Sequence, residues 1–240
     1  MILAAGGGTR LRPFTDTIPK PLIEVGGMTL LERIARRLVA AGADRLIVNV
    51  HHHADRIERH LASLELGVDV RISREEERAL ETGGGVLHAA RLFRREGAFL
   101  VHNGDVISEI DLTALLSARE RSGALAALAV HERETSRFLL FDDAGLLGWE
   151  NVATGRSARA REGRGESRRL AFAGIHAIDP RFLDLVEERG AFSIVDVYLR
   201  LSAGGERIVP HDVTGAGWLE IGTPERLAAA RRALGDPGPG

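Results

Sequence analysis

The stretch Leu3-Ala4-Ala5-Gly6-Gly7-Gly8-Thr9-Arg10-Leu11-Arg12-Pro13 decides how this chain folds. Met1–Ala4 reads as a short apolar strand that runs directly into three glycines. Such a turn lets backbone N–H groups converge on an anion, so a strand feeding it is in principle a phosphate cradle. The P-loop spacing is missing, because no Gly-Lys-Ser/Thr occurs anywhere in the sequence. The dinucleotide fingerprint is missing too, since Thr9-Arg10-Leu11 follows the glycines where a third spaced glycine belongs. What is left is a cradle that delivers Arg10 and, further along, Lys20 in Pro19-Lys20-Pro21. Of the 32 Lys and Arg residues, Lys20 is the single lysine. A compact ammonium reaches one phosphate oxygen where a guanidinium fork is too broad, so Lys20 reads as a phosphate contact on a stiff backbone. The alternative is that one lysine had to fall somewhere.

Outward from this loop the first half alternates strand and helix periods. Thr29-Leu30-Leu31-Glu32 predicts a capping box opening a helix that stops at Gly42. Strands are expected at Leu46–Val50, Val68–Ile72, Ala98–Val101 and Ala124–Val130, and helices at Asp55–Leu64, Val86–Arg94 and Leu112–Arg121. Gly83-Gly84-Gly85 should precede the second of these helices, and Asp111 should cap the third. This alternation predicts an α/β fold with a mostly parallel sheet and helices on both faces. The second half predicts a hairpin, Phe138–Phe141 with Leu146–Glu150, then an exposed Gly/Ser/Arg-rich excursion over 153–168. A strand Leu170–Ile178, helices Pro180–Glu188 and Ile194–Ala203, and strands Ile208–Val213 and Trp218–Ile221 should follow. Thr223-Pro224-Glu225 opens a last helix, and a single domain over 1–234 should end in a frayed tail, 235–240.

Composition narrows the class. Apolar residues at 44% and charged residues at 28% suit a globular chain of 240 residues. A net charge of -2 supplies no field for nucleic acid or a membrane surface. With no cysteine, thiolate chemistry is excluded. No signal h-region or membrane-length apolar run is seen, so a cytoplasmic chain is expected. Asp105, at the end of a central strand, would face a ligand beyond the carboxyl edge of the sheet, although Asn103-Gly104-Asp105 is also good turn chemistry. Glu220 before Gly222 could complete an oxygen-rich Mg²⁺ site with it. His51-His52-His53 reads as a loop feature, because adjacent histidines at a strand end point to different sides. The arginines of 156–169 read as a solvated loop.

Taken together, Leu3–Pro13, Pro19-Lys20-Pro21-Leu22, Leu80–Gly85, Asn103-Gly104-Asp105-Val106, Phe172–Ile175 and Glu220–Glu225 resemble the motifs of sugar-1-phosphate nucleotidylyltransferases. In flavour they resemble those of N-acetylmuramate-1-phosphate uridylyltransferases, with mannose-1-phosphate guanylyltransferases close by. The resemblance implies a Rossmann-like three-layer sandwich of the glycosyltransferase-A type with a mostly parallel mixed sheet and a small sugar-binding lid. It implies Mg²⁺-dependent reaction of an NTP with a sugar 1-phosphate, giving an NDP-sugar and pyrophosphate, by a monomer or a homodimer. By the same resemblance Arg10 and Lys20 hold phosphates, and Ala5, Gly6, Gly7, Gly8, Thr9, Thr82 and Gly83 line the nucleotide. Asn103, Glu150 and Gly174 contact the sugar substrate, and Asp105 and Glu220 bind the metal. Three departures accompany it. Glu220 stands where aspartate is usual, no base-reading glutamine lies near Ala79, and a few residues usually precede the first strand, so the start is expected further upstream. Transfer to a non-sugar phosphate, or a silent nucleotide-sugar sensor, are the alternatives.

Overall fold

The computed structural model describes residues 1–235. They form two compact units. The first contains Met1–Glu81, His102–Glu109 and the segment from Gly217 onward; the second contains Thr82–Val101 and Ile110–Ala216. Apart from Gly235, the expected tail lies outside the described residues.

The first unit is built on parallel pairing. Ile2–Leu3 lies between Arg45–Val50 on one side and the His102-Asn103 end of Phe99–Asn103 on the other, and Asp69–Arg74 extends the sheet beyond Arg45–Val50. Val48 and Val50 are fully buried, as expected for a parallel strand covered on both faces. The helix Leu30–Ala40 buries Leu30, Leu31, Ile34, Ala35 and Leu38, and the Thr29 side chain accepts from the Glu32 N–H at its start. Val106–Ser108 pairs antiparallel with Trp218–Glu220, a pairing that composition did not announce. Leu11, Ile23, Val25, Leu30, Ile107, Ile221, Leu227 and Ala230 form one buried cluster under the glycine loop and the last helix, Pro224–Ala233.

The second unit is mostly antiparallel. Ala126–His131, buried throughout, pairs antiparallel with Arg168–Ile178 and parallel with Ile208–Asp212. Arg168–Ile178 also pairs with Arg137–Asp142, which pairs with Gly145–Asn151 as the expected hairpin.

Three expectations are corrected here. The excursion 153–168 contains a strand, Arg156–Arg159, paired with Gly145–Asn151; its charged residues suit an edge position, where they discourage further pairing. The three glycines at 83–85 lie inside the helix Glu81–His88 rather than before it, because Gly83 and Gly84 donate their N–H groups to the Phe192 carbonyl and packing outweighs propensity. The helix expected over Pro180–Glu188 is one turn, Phe182–Leu185. Among the described residues no helix is long and apolar enough to cross a membrane.

Candidate active site

The glycine loop and Lys20 are shaped to each other. Gly8 has φ +62°, and a Cβ there would lie 2.8 Å from Thr15 Cγ2 and 3.2 Å from Lys20 Cβ. The Gly8 carbonyl accepts from the Thr15 hydroxyl at 2.8 Å and from the Leu11 N–H at 2.9 Å, closing the loop over the short helix Thr9–Leu11. Lys20 opens a second short helix, Lys20–Leu22, which holds the side chain against this loop. Its Nζ donates to Asp105 Oδ2 at 2.6 Å, and the lysine side chain is only 13% exposed. The lysine is held against its partner rather than solvated.

Asp105 owes its position to Gly104. The Gly104 N–H donates to the Leu3 carbonyl at 2.8 Å, and a Cβ at Gly104 would meet that oxygen at 2.4 Å. Only glycine lets the chain after Asn103 press against the first strand and turn Asp105 toward Lys20. The Asp105 carbonyl accepts from the Ile221 N–H at 2.8 Å, and Val106 is the register partner of Glu220. The two carboxylate-bearing residues proposed as metal ligands therefore belong to directly bonded chain segments.

Glu220 is engaged by two guanidinium groups, Arg10 Nη2 at 3.6 Å and Arg226 Nη1 in close contact. Arg226, on the last helix, had no signal in the sequence beyond a helical arginine. Arg10 is well exposed, so its weak pairing leaves it able to turn to a ligand. Lys20, Arg10 and Arg226 outnumber Asp105 and Glu220 by three charges to two, a balance that favours a polyanion. Ala5 is buried, while Gly6 and Gly7 are exposed on the loop. Asn103 is half-buried, and its carbonyl lies 2.8 Å from His102 Nδ1. His102 is buried with no partner at Nε2, and burial pushes its pKa down to about 4. A neutral imidazole donating through Nδ1 satisfies both observations.

The remaining expected residues belong to the second unit. Thr82 Oγ1 accepts from the Ile194 N–H at 2.9 Å, and Gly83 is tied to Phe192. Gly174 has φ +77° within a register shift of the strand Arg168–Ile178. Glu150 pairs with Arg169 at 2.5 Å across the strand between them. Glu150 is opposite Phe138 and Arg169 opposite Leu140, so the period of two puts both on one face. The arginine-rich stretch is thus partly structural. Arg161 forks onto Asp142, whose side chain is fully buried, and together with the Arg164 and Ala144 N–H groups it holds that carboxyl well below the usual range. The three histidines gather no metal site: His51 Nδ1 meets the Glu75 carbonyl at 2.6 Å, and His53 takes a left-handed turn with φ +57°. Among the described residues no cluster of three or more metal-binding side chains is found.

A glycine loop thus follows the first parallel strand, with one lysine and one aspartate paired at the carboxyl edge of an α/β sheet. The nucleotidyl transferase family model matches residues 1–142, and the chain belongs to that family. The N-acetylmuramate alpha-1-phosphate uridylyltransferase of Caulobacter vibrioides is 34% identical, over 98% of this chain and 96% of its own. The protein of the same name from Neisseria meningitidis serogroup B is 32% identical over 98% and 97%. A putative glucose-1-phosphate thymidylyltransferase from Bacillus anthracis, solved in complex with a sucrose, matches the fold with a TM-score of 0.80 at 19% identity, covering 100% of this chain and 96% of that one.

Proposed function

We propose that this chain transfers the uridylyl group of UTP to N-acetylmuramate 1-phosphate in the cytoplasm, with Mg²⁺ as cofactor. The broader reaction is that of its family: an NTP and a sugar 1-phosphate give an NDP-sugar and pyrophosphate. The observation that carries the reading is the Lys20–Asp105 pair at 2.6 Å beside Gly8. The choice of base and sugar is supported by the two uridylyltransferases that match nearly the whole chain.

The chemistry asks little of a base. The second pKa of a phosphate monoester is about 6, so the nucleophile is already ionised at neutral pH. It attacks the α-phosphorus, and the bond to the β-phosphate oxygen breaks as pyrophosphate leaves. The protein's work is positioning and charge neutralisation. Lys20 is placed to give up Asp105 for a phosphate oxygen, and Arg10 to leave Glu220 for the departing phosphates. Each such contact supplies on the order of 2–4 kcal/mol to the transition state. Thr82 and Gly83, on the second unit, would line the nucleoside, and Asn103, Glu150 and Gly174 would meet the sugar substrate.

Asp105 and Glu220 would hold the divalent cation. Both are hard oxygen donors on bonded chain segments, and two carboxylates plus substrate phosphates make up a usual Mg²⁺ shell. When bound, the cation screens the phosphate charges and polarises the reacting phosphoryl group. Pyrophosphate release, measured with N-acetylmuramate, mannose and glucose 1-phosphates against UTP, GTP, CTP and dTTP, tests the reading. Release should be fastest with UTP and N-acetylmuramate 1-phosphate; a preference for another pair overturns the specificity, and release with none overturns the activity.

A further inference from the structure

One buried polar network beside the glycine loop has no part in the chemistry above. The Ala4 N–H donates to Asn49 Oδ1 at 2.8 Å, and Asn49 Nδ2 donates to Glu75 Oε1 at 2.6 Å. Glu75 Oε2 accepts from the Leu80 N–H at 2.9 Å, and the Glu75 N–H donates to the Val50 carbonyl at 2.8 Å. Asn49 and Glu75 are each 2% exposed. Both oxygens of this carboxylate are thus taken by neutral donors, an amide and a backbone N–H. Burying a carboxylate on such terms is costly, and what it gains here is the satisfaction of the Asn49 amide and the Leu80 N–H.

The ends of the network explain what it does. Ala4 is the residue from which the chain enters Ala5-Gly6-Gly7-Gly8. Leu80 immediately precedes Glu81, a non-glycine residue with φ +59° that begins the helix Glu81–His88. A left-handed residue of this kind persists only where its surroundings hold it. We propose that Asn49 and Glu75 are positioning residues for nucleotide binding: they lock the entry to the glycine loop and the backbone at Leu80 in one register. The inference rests on reading the glycine loop as the nucleotide site.

The donor and acceptor order makes the idea testable. Ala4 and Leu80 can only donate, so the order along the relay is forced: Asn49 accepts and then donates, and Glu75 accepts twice. Glu75→Gln brings one oxygen and one NH₂ to positions that need two acceptors. Whichever way either amide is turned, two donors meet somewhere between Ala4 and Leu80. Asn49→Asp alone sets two carboxylates against each other. The double variant Asn49→Asp/Glu75→Gln restores every bond with the charge moved one place along the relay. Its carboxylate accepts from the Ala4 N–H and from the NH₂ of the introduced amide, whose oxygen accepts from the Leu80 N–H.

Binding of UTP, GTP, CTP and dTTP is measured by calorimetry without sugar phosphate, and KM is measured for both substrates. Glu75→Gln should weaken binding of the preferred nucleotide about tenfold or more, as one mismatched buried group implies. Asn49→Asp should do at least as much. KM for the sugar 1-phosphate should change by less than about twofold, and the double variant should bind nucleotide within about threefold of the wild type. Glu75→Gln with wild-type nucleotide affinity overturns the proposal, as does equal loss toward both substrates or a double variant no better than the singles. If a single variant does not fold, recovery of binding in the double supports the relay and its failure overturns it. A wild type that binds nucleotide but turns over no sugar phosphate sinks the proposed reaction and leaves this inference standing, whereas one that binds none of the four sinks both.

Discussion

In the first unit Arg10 and Asp105 follow parallel strands, Lys20 opens a short helix and Glu220 ends an antiparallel strand, and each charge is already answered by another: Lys20 by Asp105, Glu220 by Arg10 and Arg226. Their backbones are fixed by close approaches, Gly8 against Thr15 and Gly104 against Leu3. In the second unit Glu150 and Arg169 stand on two strands flanking a third, on one face of an antiparallel sheet, and Arg169 is largely exposed. The first arrangement holds Lys20 and Asp105 together at 2.6 Å, the kind of fixed placement a phosphoryl reaction needs. The second offers a longer, adaptable pair suited to hydroxyl and carboxyl groups of a sugar. Chemistry and specificity are therefore expected to separate by unit.

Asp105→Asn should break the first unit's half of this division most severely. The amide keeps the shape but loses the charge that holds Lys20 and that would hold a hard cation, so turnover at limiting Mg²⁺ should fall by at least about 1,000-fold, while metal-free nucleotide binding changes far less. Steady-state pyrophosphate release and nucleotide titration read the two separately, and normal turnover would remove Asp105 from the metal role.

Glu220 sharpens the comparison by length. Glu220→Gln should cost about 10- to 100-fold, because the two arginines, and the cation the proposed site would hold, lose their counter-charge, whereas Glu220→Asp should retain activity or improve it. A wild-type rate in the Gln variant would make Glu220 a partner of Arg226 and nothing more.

A smaller and differently placed effect is expected in the second unit. Glu150→Gln should raise KM for the sugar 1-phosphate about tenfold with KM for UTP unchanged, the worth of one hydrogen bond to a charged group. Arg169→Ala should act in the same direction and more weakly. An effect on UTP alone would overturn the assignment of this face to the sugar.

The smallest effect on activity at neutral pH concerns His102. Its folded pKa of about 4 lies below the ordinary 6.5, so the unfolded chain takes up the proton first as pH falls. Its stabilising contribution is complete above about pH 6.5 and is lost on the way down to about pH 4, by roughly 3 kcal/mol. Chemical denaturation across this range should show a shallower acid limb in His102→Gln than in the wild type, and identical limbs would mean that His102 titrates freely.

The same contrast explains what could be read from residues alone. The glycine loop, Lys20, Asp105, the cap at Thr29 and the helix opening at Thr223-Pro224 are local patterns, and each lies where its spacing puts it. Gly83-Gly84-Gly85 misled because their helix is held by the Phe192 carbonyl, more than a hundred residues away in sequence. Arg156–Arg159 misled because a charged edge strand has the composition of a solvated loop. The Asn49–Glu75 relay was illegible for a similar reason. Asn49 breaks the apolar run Leu46–Val50, but Glu75 opens the run Glu75-Glu76-Glu77, where nothing distinguishes the buried carboxylate from its exposed neighbours.

The most direct test of the account is the rate of pyrophosphate release by Lys20→Arg, with its thermal unfolding midpoint measured beside it. A guanidinium cannot occupy the space between Gly8 and Asp105 that the ammonium fills, so kcat/KM should fall at least about 100-fold, equivalent to about 2.7 kcal/mol, with the fold intact. Turnover close to the wild type would show that the pocket does not read the ammonium, and would contradict the central role given to Lys20.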